Sequence, residues 1–177
     1  LFWSDKLYCV NAVTGQPIWE FAPYGIIKAQ PVVNNNKVYF QCGGLYCLDL
    51  ATGKANWEFW TDSWGETQVA VSEGFVCFAK DETLYCLNST TGKKLWETKT
   101  PSSAMRPVMS GGRAYVGGEG SIQCIDVMTG STIWKIPSTP DTTILQYDLD
   151  EAKLYVAYDT MIQSFSCADG SIIWSFK

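Results

Sequence analysis

The side chains able to do chemistry in this chain are cysteines and carboxylates, because its 177 residues include no histidine. Without an imidazole there is no Ser-His-Asp triad, no Cys-His pair and no His-containing zinc site. Seven cysteines remain. Cys9, Cys47, Cys86 and Cys124 stand at one equivalent place in a recurring stretch, which assigns them to different structural units, too far apart to share a metal or a bridge. They are expected to be small buried side chains on a sheet. Cys77 and Cys86 face each other across a hairpin in this reading and Cys42 and Cys47 flank another, but neighbouring-strand disulfides meet awkward geometry, so free thiols are expected. The odd total and the lack of a Cys-x-x-Cys pattern offer no zinc or redox motif and leave the compartment open. Asp49, Asp126 and Asp169 lie in or beside repeated turns, where a carboxylate ordinarily caps local backbone N–H groups. Asn88-Ser89-Thr90 matches the glycosylation sequon, but it falls in the same repeated turn and is read as turn chemistry.

The elements that hold these residues come in five copies. Leu45 to Trp57 recurs as Leu7 to Trp19, Leu84 to Trp96, Ile122 to Trp134 and Ile162 to Trp174, each with an apolar run, a Gly and a closing Trp. The steps from Trp to Trp are 38, 39, 38 and 40 residues, a period that marks an array of small supersecondary units. Within one copy, Gln30 to Val33 predicts a first strand, Asn34 to Asn36 a turn and Val38 to Cys42 a second strand. Gly43-Gly44 predicts a two-residue turn with positive φ, Leu45 to Asp49 a third strand and Asn56 to Trp60 a fourth. The other first strands are expected at Thr67 to Val71, Met105 to Met109 and Ile144 to Asp148. Second strands are expected at Leu1 to Ser4, Phe75 to Ala79, Ala114 to Gly118 and Leu154 to Tyr158. Four short antiparallel strands per unit and no helical periodicity describe an all-β propeller, with four complete blades and most of a fifth. The units are residues 1–23 (partial), 29–61, 66–100, 105–138 and 144–177, within one domain covering 1–177. Pro31 and Pro107 fall in predicted first strands, which suits a free edge along a central channel.

Composition narrows the partners. A chain that is 46% hydrophobic and 14% aromatic is folded rather than disordered. Its net charge of −5, with the 13 Lys and Arg scattered, lacks the footprint of a nucleic-acid binder. No apolar run reaches the roughly 18 residues that would span a bilayer, and Leu1 to Asp5 show no signal-peptide pattern. Leu1 aligns opposite Tyr39, inside a predicted strand, so the natural protein is expected to continue upstream.

The pattern Leu-Tyr-small-Leu-Asp-x-x-Thr-Gly-Lys-x-x-Trp, as in Leu45 to Trp57, resembles the blade motif of the pyrroloquinoline-quinone-like propeller repeats, a family of enzymes, outer-membrane assembly factors and sensor domains. The resemblance covers essentially the whole chain. It implies that Trp19, Trp57, Trp96, Trp134 and Trp174 dock between adjacent blades, with Gly15, Gly53, Gly92, Gly130 and Gly170 letting the turns approach closely. A repeated indole, which buries about 150–250 Å² and needs a partner for its N–H, suits that structural role on physical grounds alone. The fifth copy carries Ser166 where the others carry Asp or Asn, which predicts a looser turn. The family's enzymes use the quinone with calcium, a catalytic Asp and, in many, a disulfide between consecutive cysteines. Here no two cysteines are adjacent, so the quinone with calcium is not expected. The resemblance also favours a location outside the cytoplasm.

A protein partner is therefore the expectation, with no nucleic acid and no membrane insertion. Tyr24, Trp60 and Trp64 fall where one blade passes to the next, outside the logic of the repeat, and are the candidate contact residues; the alternative for Trp60 is that it covers its own blade's outer strand. The chain is expected to be a non-catalytic interaction scaffold. The alternatives are a fragment of a quinoprotein dehydrogenase and the sensor ectodomain of a kinase or signalling protein. Rings of this family commonly hold about eight blades. An open arc would expose an apolar blade face at each end and promote self-association; the other possibility is a closed five-bladed ring.

Overall fold

Turn residues at close intervals leave no room for a helix, and the described residues form strands throughout. The structure is a computed structural model that describes residues 5–61, 68–101, 106–137, 144–150, 152–158 and 161–177. The first unit is a two-stranded sheet, β1 (Leu7–Val10) with β2 (Pro17–Phe21). The second contains β3 (Val32–Asn34), β4 (Lys37–Cys42), β5 (Gly44–Asp49) and β6 (Ala55–Trp60). The third contains β7 (Ala70–Ser72), β8 (Phe75–Lys80), β9 (Thr83–Asn88) and β10 (Lys94–Lys99). The fourth contains β11 (Val108–Ser110), β12 (Arg113–Gly118), β13 (Ser121–Asp126) and β14 (Thr132–Pro137). The fifth contains β15 (Ile144–Asp150), β16 (Lys153–Tyr158), β17 (Ile162–Ser166) and β18 (Ile172–Phe176). Every four-stranded sheet is antiparallel with its strands in chain order. The first strands of successive sheets, β3, β7, β11 and β15, lie beside one another, so the sheets radiate as the blades of a propeller. Among the described residues no helix is long and apolar enough to cross a membrane.

Two local expectations change. First strands begin at Val32, Ala70 and Val108, later than predicted, and Pro31 and Pro107 each stand one residue ahead of the strand. A residue without an N–H cannot donate to the ladder, so pairing starts after it. The predicted strand Leu1 to Ser4, Thr67 and Met105 lie outside the described residues. The Gly43-Gly44 turn is also shorter than expected. Cys42 pairs with Gly44, so Gly43 alone, at φ 70°, makes the reversal. Gly44 belongs to β5, where an added Cβ would lie 2.8 Å from the Phe59 carbonyl oxygen and 3.1 Å from the Trp60 ring.

The apolar core sits between sheets. Leu7, Trp19 and Phe21 of the first sheet pack on Val38, Phe40, Tyr46 and Leu48 of the second. Tyr39, Leu45, Cys47, Trp57 and Phe59, on the second sheet's other face, pack on Val76, Phe78 and Leu87 of the third. Cys77, Leu84, Cys86 and Trp96 continue the pattern onto Ala114, Val116 and Ile125, and Tyr115, Ile122, Cys124 and Trp134 continue it onto Leu154, Val156 and Phe165. Each sheet thus uses one face toward the preceding blade and the opposite face toward the following one, as the period of two along a strand dictates.

Candidate functional site

The most elaborate chemistry in the chain is the joint repeated between blades. The indole N–H of Trp19 donates to the Leu50 carbonyl at 2.9 Å, Trp57 to Ser89 at 3.1 Å, Trp96 to Val127 at 2.7 Å and Trp134 to Cys167 at 3.0 Å. Each acceptor is the residue after the turn's Asp, Asn or Ser in the following copy. The ring lies against that turn's glycine so closely that an added Cβ would stand 2.6 Å from Trp19 at Gly53, 2.6 Å from Trp57 at Gly92, 2.7 Å from Trp96 at Gly130 and 3.0 Å from Trp134 at Gly170. These glycines also hold φ between 70° and 76°, so they supply both space and a left-handed conformation. Gly15 shares the conformation but has nothing within 4 Å, and Trp174 is 42% exposed.

Two further features aim the tryptophans. Cys9, Cys47, Cys86 and Cys124 are the register partners of Trp19, Trp57, Trp96 and Trp134, and Ser164 is that of Trp174. A small side chain there leaves the neighbouring indole room to lean across the sheet. In every copy the register shifts at this point, leaving Ile18, Asn56, Leu95, Ile133 or Ile173 as an extra residue before the Trp. Such a bulge bends the strand and re-aims the next side chain. Sequence reading misses the bulge; its trace is that the residue before each Trp carries no ladder partner, which no composition signal marks.

The cysteines are thiols. Cys9 is half-buried and the other six are buried. Cys77 stands directly opposite Cys86, whereas Cys42 pairs with Gly44 and Cys47 with Tyr39. Burial pushes the Cys47 thiol up, the Cys124 thiol up to about 11 and the Cys77 thiol well above its ordinary range. These groups stay protonated at neutral pH and are poor nucleophiles. In the native protein a thiol reagent is expected to titrate Cys9 alone, the others reacting after denaturation; a second fast thiol would contradict this burial pattern.

Asp49, Asp126 and Asp169 serve the turns. Asp49 Oδ1 accepts from the Thr52 hydroxyl at 2.8 Å and from the N–H groups of Thr52 at 2.8 Å and Ala51 at 3.1 Å. Asp126 accepts from the Thr129 N–H at 2.8 Å and hydroxyl at 2.9 Å. Asn88 of the sequon has the same duty, its Oδ1 accepting from the N–H groups of Thr90 and Thr91. The turn at Ser166 loses the carboxylate yet keeps the backbone bonds of the others, Ser166 N–H to Ser171 O at 2.8 Å and Gly170 N–H to Ser166 O at 2.9 Å. It is therefore not looser in its backbone; Asp169 takes over by accepting from the Ser171 N–H and hydroxyl. These bonds, from Thr52 to Asp49, from Thr129 to Asp126 and from Ser171 to Asp169, hold the three carboxyls below the usual carboxylate range. A folded value below the unfolded one of about 3.9 gives stability that is present above about pH 4 and is lost as pH falls through the folded value. Asp49→Asn, the residue type already present at Asn11 and Asn88, is expected to leave the thermal midpoint unchanged at neutral pH and to lessen its fall in acid. An equal acid sensitivity in the variant would contradict the assignment.

Where the first strands converge, Val32, Val69, Ala70, Val71, Arg106, Pro107, Val108, Met109 and Ser110 line an open cavity of about 360 Å³. Calcium takes six to eight oxygen ligands, carboxylates prominent among them, and this wall offers no carboxylate. Among the described residues no group of three or more His, Cys, Asp and Glu is placed to hold a metal.

Two of the candidate contact residues, Tyr24 through its backbone N–H and Trp60 through its ring, meet on one tyrosine. Tyr46 is buried between the first and second sheets, stacked on Phe40 at 5.1 Å and edge-on to Phe21 at 5.6 Å. The Tyr46 hydroxyl accepts from the Tyr24 N–H at 3.3 Å, and the Trp60 ring stands edge-on to Tyr46 at 5.6 Å. Tyr24 remains 76% exposed and Trp60 49% exposed. Trp60 is the last residue of β6 rather than a connection residue, and it covers Gly44 of its own blade. Trp64 lies outside the described residues.

The family model described as outer membrane protein assembly factor BamB matches residues 3–74, 41–106 and 80–177. A comparison with curated proteins finds no match. Among solved structures, BamB from Moraxella catarrhalis is similar with a TM-score of 0.76 at 19% identity, over 91% of this chain and 56% of that one. A europium-containing methanol dehydrogenase is similar with a TM-score of 0.76 at 14% identity, over 90% and 43%. A quinohemoprotein alcohol dehydrogenase from Comamonas testosteroni is similar with a TM-score of 0.71 at 18% identity, over 85% and 35%. At these identities the likeness is one of fold, and the chain spans little more than half of the assembly factor and less than half of either enzyme.

Proposed function

Because the chain belongs to the propeller-repeat family of the outer membrane protein assembly factor BamB, we propose that it is a non-catalytic scaffold that holds a protein partner at the Tyr24–Trp60 surface. The observation that carries this reading is the convergence of those two exposed aromatic residues on the buried Tyr46. A ring held edge-on against a buried neighbour, as Trp60 is against Tyr46, loses little side-chain freedom on binding, which suits the aromatic anchors of interaction hot spots. By the role of the family's assembly factor, the partner is a component or client of outer-membrane protein assembly. Six of the seven cysteines are buried thiols and Asp49, Asp126 and Asp169 are committed to turns, which supports the same reading.

Truncation of a hot-spot aromatic costs at least about 2 kcal/mol of binding. Tyr24→Ala and Trp60→Ala are therefore each expected to weaken partner binding by at least tenfold, with the native thermal transition retained. Binding that survives both substitutions overturns this site. Calcium-dependent, saturable uptake of pyrroloquinoline quinone in an equilibrium titration would favour the dehydrogenase reading instead.

A further inference from the structure

Among the described strand pairs, the third blade alone sets two sulfurs face to face. At one equivalent pair of positions the second, fourth and fifth blades oppose Tyr39 to Cys47, Tyr115 to Cys124 and Tyr155 to Ser164. The third opposes Cys77 to Cys86. Both side chains are fully buried, in the cluster where Trp96 packs with Ala114 and Val116 of the fourth blade. The exchange of Tyr for Cys also strips the joint of its braces. In the second blade Lys37 and the Tyr39 hydroxyl donate to the Ser89 carbonyl, whereas the third blade carries Phe75 and Cys77 at those places.

The ladder places this pair where a disulfide fits. Asp81 and Glu82, at φ 46° and 59°, join β8 to β9 as the primed turn of a tight hairpin, whose closing pair is hydrogen-bonded. Here that pair is Lys80 and Thr83. Bonded and non-bonded pairs then alternate away from the turn, so Phe78–Tyr85 is bonded, and Ala79–Leu84 and Cys77–Cys86 are not. The other edge of β8 agrees: the turn Glu73-Gly74 closes on Ser72 and Phe75, which makes Ala70–Cys77 a bonded pair and turns the Cys77 backbone toward β7. Opposed Cβ atoms stand about 4.5 Å apart at non-bonded pairs and about 5.5 Å at bonded ones, and a disulfide spans roughly 3.5–4.5 Å. The awkward geometry expected of neighbouring-strand disulfides therefore belongs to the bonded pairs and not to this one.

We propose that Cys77 and Cys86, thiols in this structure, are a disulfide site that is oxidised while the chain folds and sealed when the fourth blade docks on the third. The oxidant is a small or protein-borne disulfide of the oxidised-glutathione class. One cysteine thiolate attacks it, forming a mixed disulfide and releasing one carrier thiol; the other cysteine attacks the mixed disulfide and releases the second. Two electrons pass to the carrier, and the two protons leave on its thiols. The hairpin is local in sequence, so its thiols meet early. After docking neither sulfur is exposed, and burial keeps the Cys77 thiol protonated and unreactive. The redox state reached during folding is thus locked, and the bond clamps β8 to β9 beneath the one inner joint that has neither the tyrosine nor the cation. This inference is independent of the Tyr24–Trp60 surface.

Refolding the reduced chain in a glutathione redox buffer, and in parallel in dithiothreitol, tests it. After acid quenching and denaturation, the chain from dithiothreitol is expected to titrate all seven thiols and the chain from glutathione five, the seven less the pair, with peptide mapping joining Cys77 to Cys86. Reduced chain that is already folded is expected to form the bond at least about a hundredfold more slowly in the same glutathione buffer. The bond closes a short loop and is expected to raise the thermal midpoint by about 5–10 °C. Cys86→Ala, one small side chain for another, is expected to lose the linked peptide and to show one midpoint in both buffers. The same peptide map of chain produced in an oxidising cellular compartment reads the bond without a refolding step. Seven thiols after oxidative folding by both routes, a bond that joins other cysteines, equal rates in folded and unfolded chain, or a midpoint that falls on oxidation overturns the proposal.

Discussion

Trp57→Ala is expected to lower stability by about 3 kcal/mol, the lower end of the range for truncating a large aromatic in a core, because the ring is half-buried. Its indole N–H bond to Ser89 and its packing against Tyr39 at 6.0 Å are both lost. The cavity opens between two blades, where the backbone of neither can follow the missing ring. At roughly 2–4 °C per kcal/mol for a chain of this size, the thermal midpoint should fall by about 6–12 °C. Trp174→Ala provides the contrast in this chain, since its ring is more exposed than that of Trp57. Equal losses at the two positions would contradict the joint as the source of stability.

Gly92→Ala is the second large effect, and its size comes from one methyl group. The new Cβ would stand 2.6 Å from the Trp57 ring, on a backbone at φ 70°. The left-handed backbone costs about 1–2 kcal/mol for a residue with a Cβ, and forcing the ring aside adds about 1–3 kcal/mol. Gly15→Ala has the same backbone conformation and no neighbour within 4 Å, so it should show the conformational part alone. Combining Gly92→Ala with Trp57→Ala should bring its cost down to the Gly15→Ala value, a coupling that a double-mutant cycle measures directly. Additive losses would mean that the glycine and the indole act independently.

The repeat was legible because five copies of an apolar run, a Gly turn and a Trp override local ambiguity. The fold follows: four-stranded antiparallel blades in chain order, with second strands where the apolar runs place them. First strands were less legible. Three of them are three residues long, too short for an alternating pattern to announce itself, and Pro31 and Pro107 displace their starts. Gly43-Gly44 misleads because Gly serves two purposes, positive φ at Gly43 and close approach at Gly44. The pairing of each small Cys with a Trp depends on a bulge, and bulges arise from pairing across strands, which a one-dimensional pattern does not contain. The meeting of Tyr24 with Trp60 on Tyr46 is hidden for the same reason: residues 24, 46 and 60 come together only through the packing of the first blade on the second.

A family that holds both assembly factors and dehydrogenases is divided by what the blades present, since the blade joint is common to all copies of the repeat. In this chain the repeated turns hold Asp49, Asp126 and Asp169, and six of the seven thiols are buried. The proposed partner surface at Tyr24 and Trp60 is tested most directly by placing a photoreactive amino acid at position 60 in cells. A discrete protein adduct is expected from position 60 and none from position 13, where Val13 is 93% exposed on the first blade's turn. Adducts of equal yield at both positions, or none at position 60, would contradict it.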